Sequence, residues 1–182
     1  MKDFDRFELL LWLIDRFDNL RASVNNNASI VVSANALMIA AVTFLLGIVV
    51  ELTSPLKAVS RDLVILCCVV SFALLMASIY FSVNAIANVF KTSRRLIRPD
   101  VPTRFFFNQR ETLEKWKSFD VFSKNFRDMD AEKFLELGIA EFWAISTTQN
   151  VRYSNLRWAI RFFVAAILPF VIAVSIVLIG AL

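Results

Sequence analysis

The sequence predicts an all-α membrane protein with three transmembrane helices, an amphipathic N-terminal helix and a cytoplasmic helical segment continuous with the last span. Three observations carry this. Hydrophobic residues make up 58% of the 182-residue chain and mean hydropathy is +0.61, whereas soluble domains are roughly 45–50% apolar. No Asp, Glu, Lys or Arg occurs between Arg21 and Glu51, between Asp62 and Lys91, or after Arg161, leaving uncharged runs of 29, 28 and 21 residues. About 20 apolar residues cross a bilayer as a helix, so each run is long enough. Finally, an apolar stripe at helical spacing continues from the cytoplasmic residues near 130 into the last run.

These runs place spans at 28–50, 63–90 and 162–182. A cleavable signal peptide is a poor reading of the first, because its apolar region would be only about 7–15 residues long. The preceding residues 1–27 are an amphipathic segment in which Phe7, Leu10, Leu11, Ile14 and Phe17 share a face. With five acids against four bases, that segment suits packing against protein better than lying on anionic lipid, where Lys and Arg dominate.

Orientation follows from the basic residues. Residues 1–27 hold four, the connection 51–62 holds two balanced by Glu51 and Asp62, and residues 91–161 hold fourteen. Positive charge is retained on the cytoplasmic side. The N-terminus and residues 91–161 are therefore expected in the cytoplasm, and the 51–62 loop and the C-terminus outside, which in a bacterium means an inner-membrane protein. The net charge of +4 reads as topology and headgroup affinity, not as a nucleic-acid interface.

In the cytoplasmic segment, Pro99 and Pro102 break any continuous helix, and residues 105–107 are an aromatic run that reads equally as strand or loop. Leu113, Trp116 and Phe119 fit a short helix. Asp130 is a candidate N-cap with Glu132 in the first turn. From there Leu135, Ile139, Phe142, Ile145, Gln149, Tyr153, Leu156, Ile160 and Phe163 step by three and four. A single helix over these fifty-odd residues would be roughly 80 Å long and project beyond the bilayer.

Catalytic chemistry is not indicated. The chain has no histidine to serve as a base, and its three glycines form no phosphate-binding loop. Cys67 and Cys68 are neighbours within a span and supply neither a zinc site nor a disulfide framework. No enzyme, metal or resident cofactor is expected.

Polar residues inside the spans are more informative, since an unpaired amide in hydrocarbon is costly. Ser33, Asn35 and Thr43 lie in the first span; Ser78, Ser82, Asn84 and Asn88 lie in the second. They suit interhelical hydrogen bonding or the lining of a pore, and either role implies a homo-oligomer. Pro169 is a candidate hinge in the third span. Two basic groups flank the membrane: Lys91, Arg94, Arg95, Arg98 and Arg104, then Arg152, Arg157 and Arg161. They read as positive-inside anchors, or as a pocket in which arginines hold a nucleotide phosphate while Tyr153 or Trp158 stacks on a base.

Several stretches together resemble a known family. In "RASVNNNASIVVSANALMIAAVTFLL", Arg21, Ala22, Ala28 and Ser29 fit an R-A-D-x-K-A-S type approach to a first span, with Asn25 and Asn27 where charged residues are usual. Pro99 and the run at 105–107 match a proline-containing linker and F-F segment. In "AEFWAISTTQNVRYSNLRWAIRFF", Arg152, Tyr153, Leu156, Arg157 and Ala159 fit a K-Y-x-x-L-R-x-A ending. The arrangement resembles the small transmembrane effectors of bacterial Pycsar anti-phage systems. The resemblance implies an inner-membrane effector that a cyclic pyrimidine nucleotide, cCMP or cUMP, triggers to impair membrane integrity and abort infection. The ligand would bind within 91–161, or a partner protein would sense it. A membrane scaffold recruiting a cytoplasmic partner and a holin-like or small transport protein are the alternatives.

Overall fold

A computed structural model describes residues 3–51, 58–87, 118–128 and 130–181. Four α-helices account for nearly all of them: α1 (Asp3–Glu51), α2 (Ala58–Ala87), α3 (Phe119–Arg127) and α4 (Ala131–Ala181). No strand occurs among the described residues. Three helices are long and apolar enough to cross a membrane, within Glu8–Val50, Ser60–Ala87 and Ala131–Gly180. The expected all-α, three-span architecture is therefore present.

The amphipathic segment and the first span form one unbroken helix, α1, with no joint near residue 27. Neither Gly nor Pro occurs there, and the asparagines at 25–27 lower helix propensity without stopping a helix already nucleated on both sides. The short helix α3 starts at Phe119, after Ser118 accepts a hydrogen bond from the Val121 amide at 3.4 Å. The other residues expected in that helix, Leu113 and Trp116, lie outside the described residues, as do residues 99–107. The continuity expected of the last helix holds: α4 runs from Ala131 through Pro169 to Ala181.

The chain divides into two compact units, one from residues 1–22 and 88–151, the other from 23–87 and 152–182. In the first unit, Leu10 and Ile14 of α1 are buried, and the Phe17 ring meets Phe142 of α4 edge-on at 5.2 Å. Gly138 lets the two helices approach, because a Cβ there would run into the Leu10 side chain. Leu11, expected on the packed face, is half exposed instead.

The second unit is a three-helix bundle with its core in seven-residue steps. The residues of one buried heptad row on α1 are Ala28, Asn35, Val42 and Val49, and on α2 they are Val64, Ser71, Ser78 and Ala85. On α4 they are Arg152, Ala159, Ala166 and Ala173. Such spacing keeps one seam facing the partners, as in coiled coils. Side-chain-to-backbone bonds fix the register: Arg152 opposite Ala85, Ser78 opposite Ala159 and Ser71 opposite Ala166. Residue numbers rise on α4 as they fall on α2, so these helices are antiparallel. The next step pairs Val64 with Ala173, both in the same apolar cluster.

This register corrects the predicted stripe on α4. Leu156 is buried as expected, but Tyr153 and Ile160 are exposed, and the small or polar neighbours Arg152 and Ala159 take the core positions. Helices in lipid gain little by burying large side chains against each other, because the tails are equally apolar. Small residues that allow close backbone contact face the partners instead.

Candidate functional site

Within the bundle the buried polar groups form one seam. It begins where Arg152, only 1% exposed, reaches the C-terminal end of α2. Its Nε donates to the Ala85 carbonyl at 2.7 Å, and a terminal guanidinium nitrogen donates to Asn25 Oδ1 and to the Ile86 carbonyl, the latter at 3.4 Å. Ala85 and Ile86 are in the last described turn of α2. The buried guanidinium there gives those oxygens a charged donor. Asn25 serves as the α1 acceptor.

Further into the bundle, Asn35 Nδ2 donates to the Val31 carbonyl at 2.8 Å and to Ser78 Oγ at 2.9 Å. Ser78 Oγ in turn donates to the Ala159 carbonyl at 2.8 Å, so all three helices are joined at this level. The chain of donors has one direction: Ser78 has a single hydroxyl proton, gives it to Ala159 and must accept from Asn35. One heptad on, Ser71 Oγ donates to the Ala166 carbonyl at 3.2 Å. That carbonyl adjoins Ala165, whose helical donor is missing because Pro169 has no N–H. The polar layer around Asn35 separates two apolar clusters, one around Val24, Ala28, Ala85 and Leu156, the other around Val42, Val64, Leu75 and Ala166.

The residues singled out from sequence fall into several groups. Asn35, Ser78, Ser82 and Arg152 are all buried in the bundle. Ser33 is exposed and Asn84 half-buried. Thr43 is also exposed, its hydroxyl turned back onto the Ile39 carbonyl at 2.8 Å. Tyr153 and Arg157 are exposed, with the Arg157 guanidinium 6.0 Å from the Tyr153 ring centre. Arg161 lies 5.0 Å over Trp158, whose ring borders the stacked pair Phe81 and Phe162. Arg152 thus turns into the bundle while Arg157 and Tyr153 face outward. Asn88, Arg94, Arg95, Arg98 and Arg104 lie outside the described residues.

Sequence reasoning passed over Ser71 and the alanines at 159, 166 and 173. A signal for them existed in the seven-residue spacing of Ser71, Ser78 and Ala85 on α2 against Ala159, Ala166 and Ala173 on α4. Replacing Asn35 by leucine is expected to leave membrane insertion intact and lower the unfolding midpoint in detergent. The loss should be about 1 kcal/mol, the size of an interhelical hydrogen bond in a membrane. Fractionation and a thermal melt of the same variant check both halves.

A family profile described as the Pycsar effector protein domain matches residues 9–179. The chain belongs to the Pycsar effector family. It is a membrane protein of Pycsar-type anti-phage defence, and the match takes in all three apolar helices and the whole polar seam. No curated protein and no solved structure matches this Pycsar effector. The bundle geometry therefore supplies the residue-level detail: a closed three-helix unit, clamped at one end by Arg152 and tied through Asn35 and Ser78.

Proposed function

We propose that this Pycsar effector is a non-enzymatic homo-oligomer of the bacterial inner membrane. A cyclic pyrimidine nucleotide, cCMP or cUMP, or an associated sensor protein, triggers it to impair membrane integrity and abort infection. Its N-terminus and residues 91–161 are cytoplasmic and its C-terminus is outside, following the distribution of basic residues. The observation that carries this reading is the family match across 9–179. The helix α4, which holds both cytoplasmic residues and the last span, offers a direct path from a trigger to the membrane. Apolar side chains such as Leu37 (75% exposed), Phe44 and Ile179 point away from the bundle core, which suits lipid contact and contact with further copies.

For a nucleotide, the outward-facing Arg157 and Tyr153 are available, whereas the donors of Arg152 are used within the bundle. The decisive experiment expresses the chain with and without a pyrimidine cyclase and follows membrane potential with a dye. Depolarisation only when cCMP or cUMP is made is the expected result. Depolarisation without nucleotide would point to a holin-like protein, and none under either condition to a scaffold.

A further inference from the structure

Among the described residues, three side-chain polar atoms are buried without a hydrogen-bond partner: Gln149 Nε2, and, within the bundle, Asn35 Oδ1 and Ser82 Oγ. Asn35 and Ser82 have no exposed surface, yet Asn35 Oδ1 and Ser82 Oγ have no hydrogen-bond partner. The amide cannot be turned round to relieve this. Its nitrogen is required by the Val31 carbonyl and by Ser78 Oγ, which already donates to Ala159. Oδ1 is therefore left on the free side of the amide by the direction of the donor chain itself.

The helix register brings the second atom to the first. Asn35 is bonded to Ser78, and its amide leans back one turn to the level of Val31, as side chains on a helix do. Because α2 runs antiparallel, Ser82, one turn beyond Ser78, lies at that same level. An acceptor and a hydroxyl, each buried and unbonded, thus share one layer. That layer is also the break between the two apolar clusters of the core.

We propose that Asn35 Oδ1 and Ser82 Oγ form an internal water-binding site. A single water donates to Asn35 Oδ1 and exchanges a second hydrogen bond with Ser82 Oγ, which gives it the two polar partners such a water needs. The site makes the Asn35 layer the wet plane of an otherwise apolar bundle. The site concerns the resting bundle and stands without the proposed function.

The test is the sign of a stability change in the purified full chain in detergent. A bridging water makes Ser82→Ala destabilising, because the water loses a partner and Asn35 Oδ1 loses its donor. The expected shift of the thermal midpoint is downward, on the order of 2–4 °C, comparable with one lost buried hydrogen bond. In an Asn35→Leu background the leucine fills the water's place, so the same serine change should be neutral or raise the midpoint. A dry, unpartnered Ser82 gives the opposite result: Ser82→Ala raises the midpoint in the native chain. A rise, or an equal loss in both backgrounds, overturns the proposal. Because no trigger or toxicity enters the measurement, its failure leaves the proposed function standing, and the converse holds too.

Discussion

Replacing Arg152 by methionine is expected to destabilise the bundle by roughly 2–4 kcal/mol, as charge-assisted hydrogen bonds to buried partners are lost. Methionine keeps the aliphatic stem but stops short of the guanidinium, so the loss combines the missing donors with the small space they leave. Swapping buried ionic groups for apolar ones is sometimes harmless, but only when both sides of the interaction are replaced. Here two of the acceptors are the backbone carbonyls of Ala85 and Ile86, which no substitution removes. They and Asn25 Oδ1 would stay in place and lose that donor. Arg152→Lys should fall between, at about half the loss, because one ammonium cannot match the fork that serves α1 and α2 together. Unfolding in a denaturing detergent titration measures both variants. Arg157→Ala is the control: its side chain is exposed, and its change should leave the midpoint within about 0.5 kcal/mol. If Arg157 contacts the nucleotide, that variant alone should lose the cyclase-dependent depolarisation while remaining folded.

Ala166→Leu should cost about 2–3 kcal/mol, near the upper end of what overpacking does. Ala166 has no exposed surface and packs in the cluster that holds Val42, Val64 and Leu75. The added branched side chain has no space between α2 and α4. It must push the helices apart and stretch the Ser71 bond to the Ala166 carbonyl, already 3.2 Å long. The neighbouring Ala165 is exposed, so Ala165→Leu adds the same volume on the outer face and should be close to neutral. A large difference between these adjacent substitutions, read as midpoints in the same detergent, checks the register of the bundle. Equal effects would show that α4 is rotated away from the arrangement described.

The charge-free runs identified the spans because hydrocarbon excludes charge whatever the neighbours do. The course of α4 from Ala131 into the membrane was legible for a similar reason, since no Pro precedes Pro169 in that helix and the single glycine there, Gly138, does not stop it. The face of α4 was not legible. Counting bulky apolar residues selects Tyr153 and Ile160, a rule suited to water, where large apolar surface is hidden. In lipid that surface can face outward, and the core is set by close backbone approach, which selects Ala159, Ala166 and Ala173.

Arg152 shows the same limit more sharply. As one of three arginines flanking a span it reads as an anchor or a ligand contact, and nothing in the residue type separates it from Arg157. The separation comes from one step around the helix. Position 152 falls on the seam opposite the end of α2, and position 157 falls on the outer surface. Likewise, Asn35 is conspicuous as an amide within a span, but its partners are not adjacent in sequence. Ser78 is 43 residues away and is found only through the antiparallel pairing.

By itself the sequence determined that the chain is helical, that it has three membrane-spanning segments, and that its motifs fit the Pycsar effectors. Each rests on local composition or spacing, which hydrophobicity and backbone hydrogen bonding translate directly into structure. Only the tertiary structure decided which polar groups meet: Arg152 with the end of α2 and Asn25, Asn35 with Ser78, and Ser71 with Ala166. Those pairings depend on the rotation and register of helices distant in sequence. Close packing of small residues and the direction of individual hydrogen bonds set them, and neither is written in any single segment.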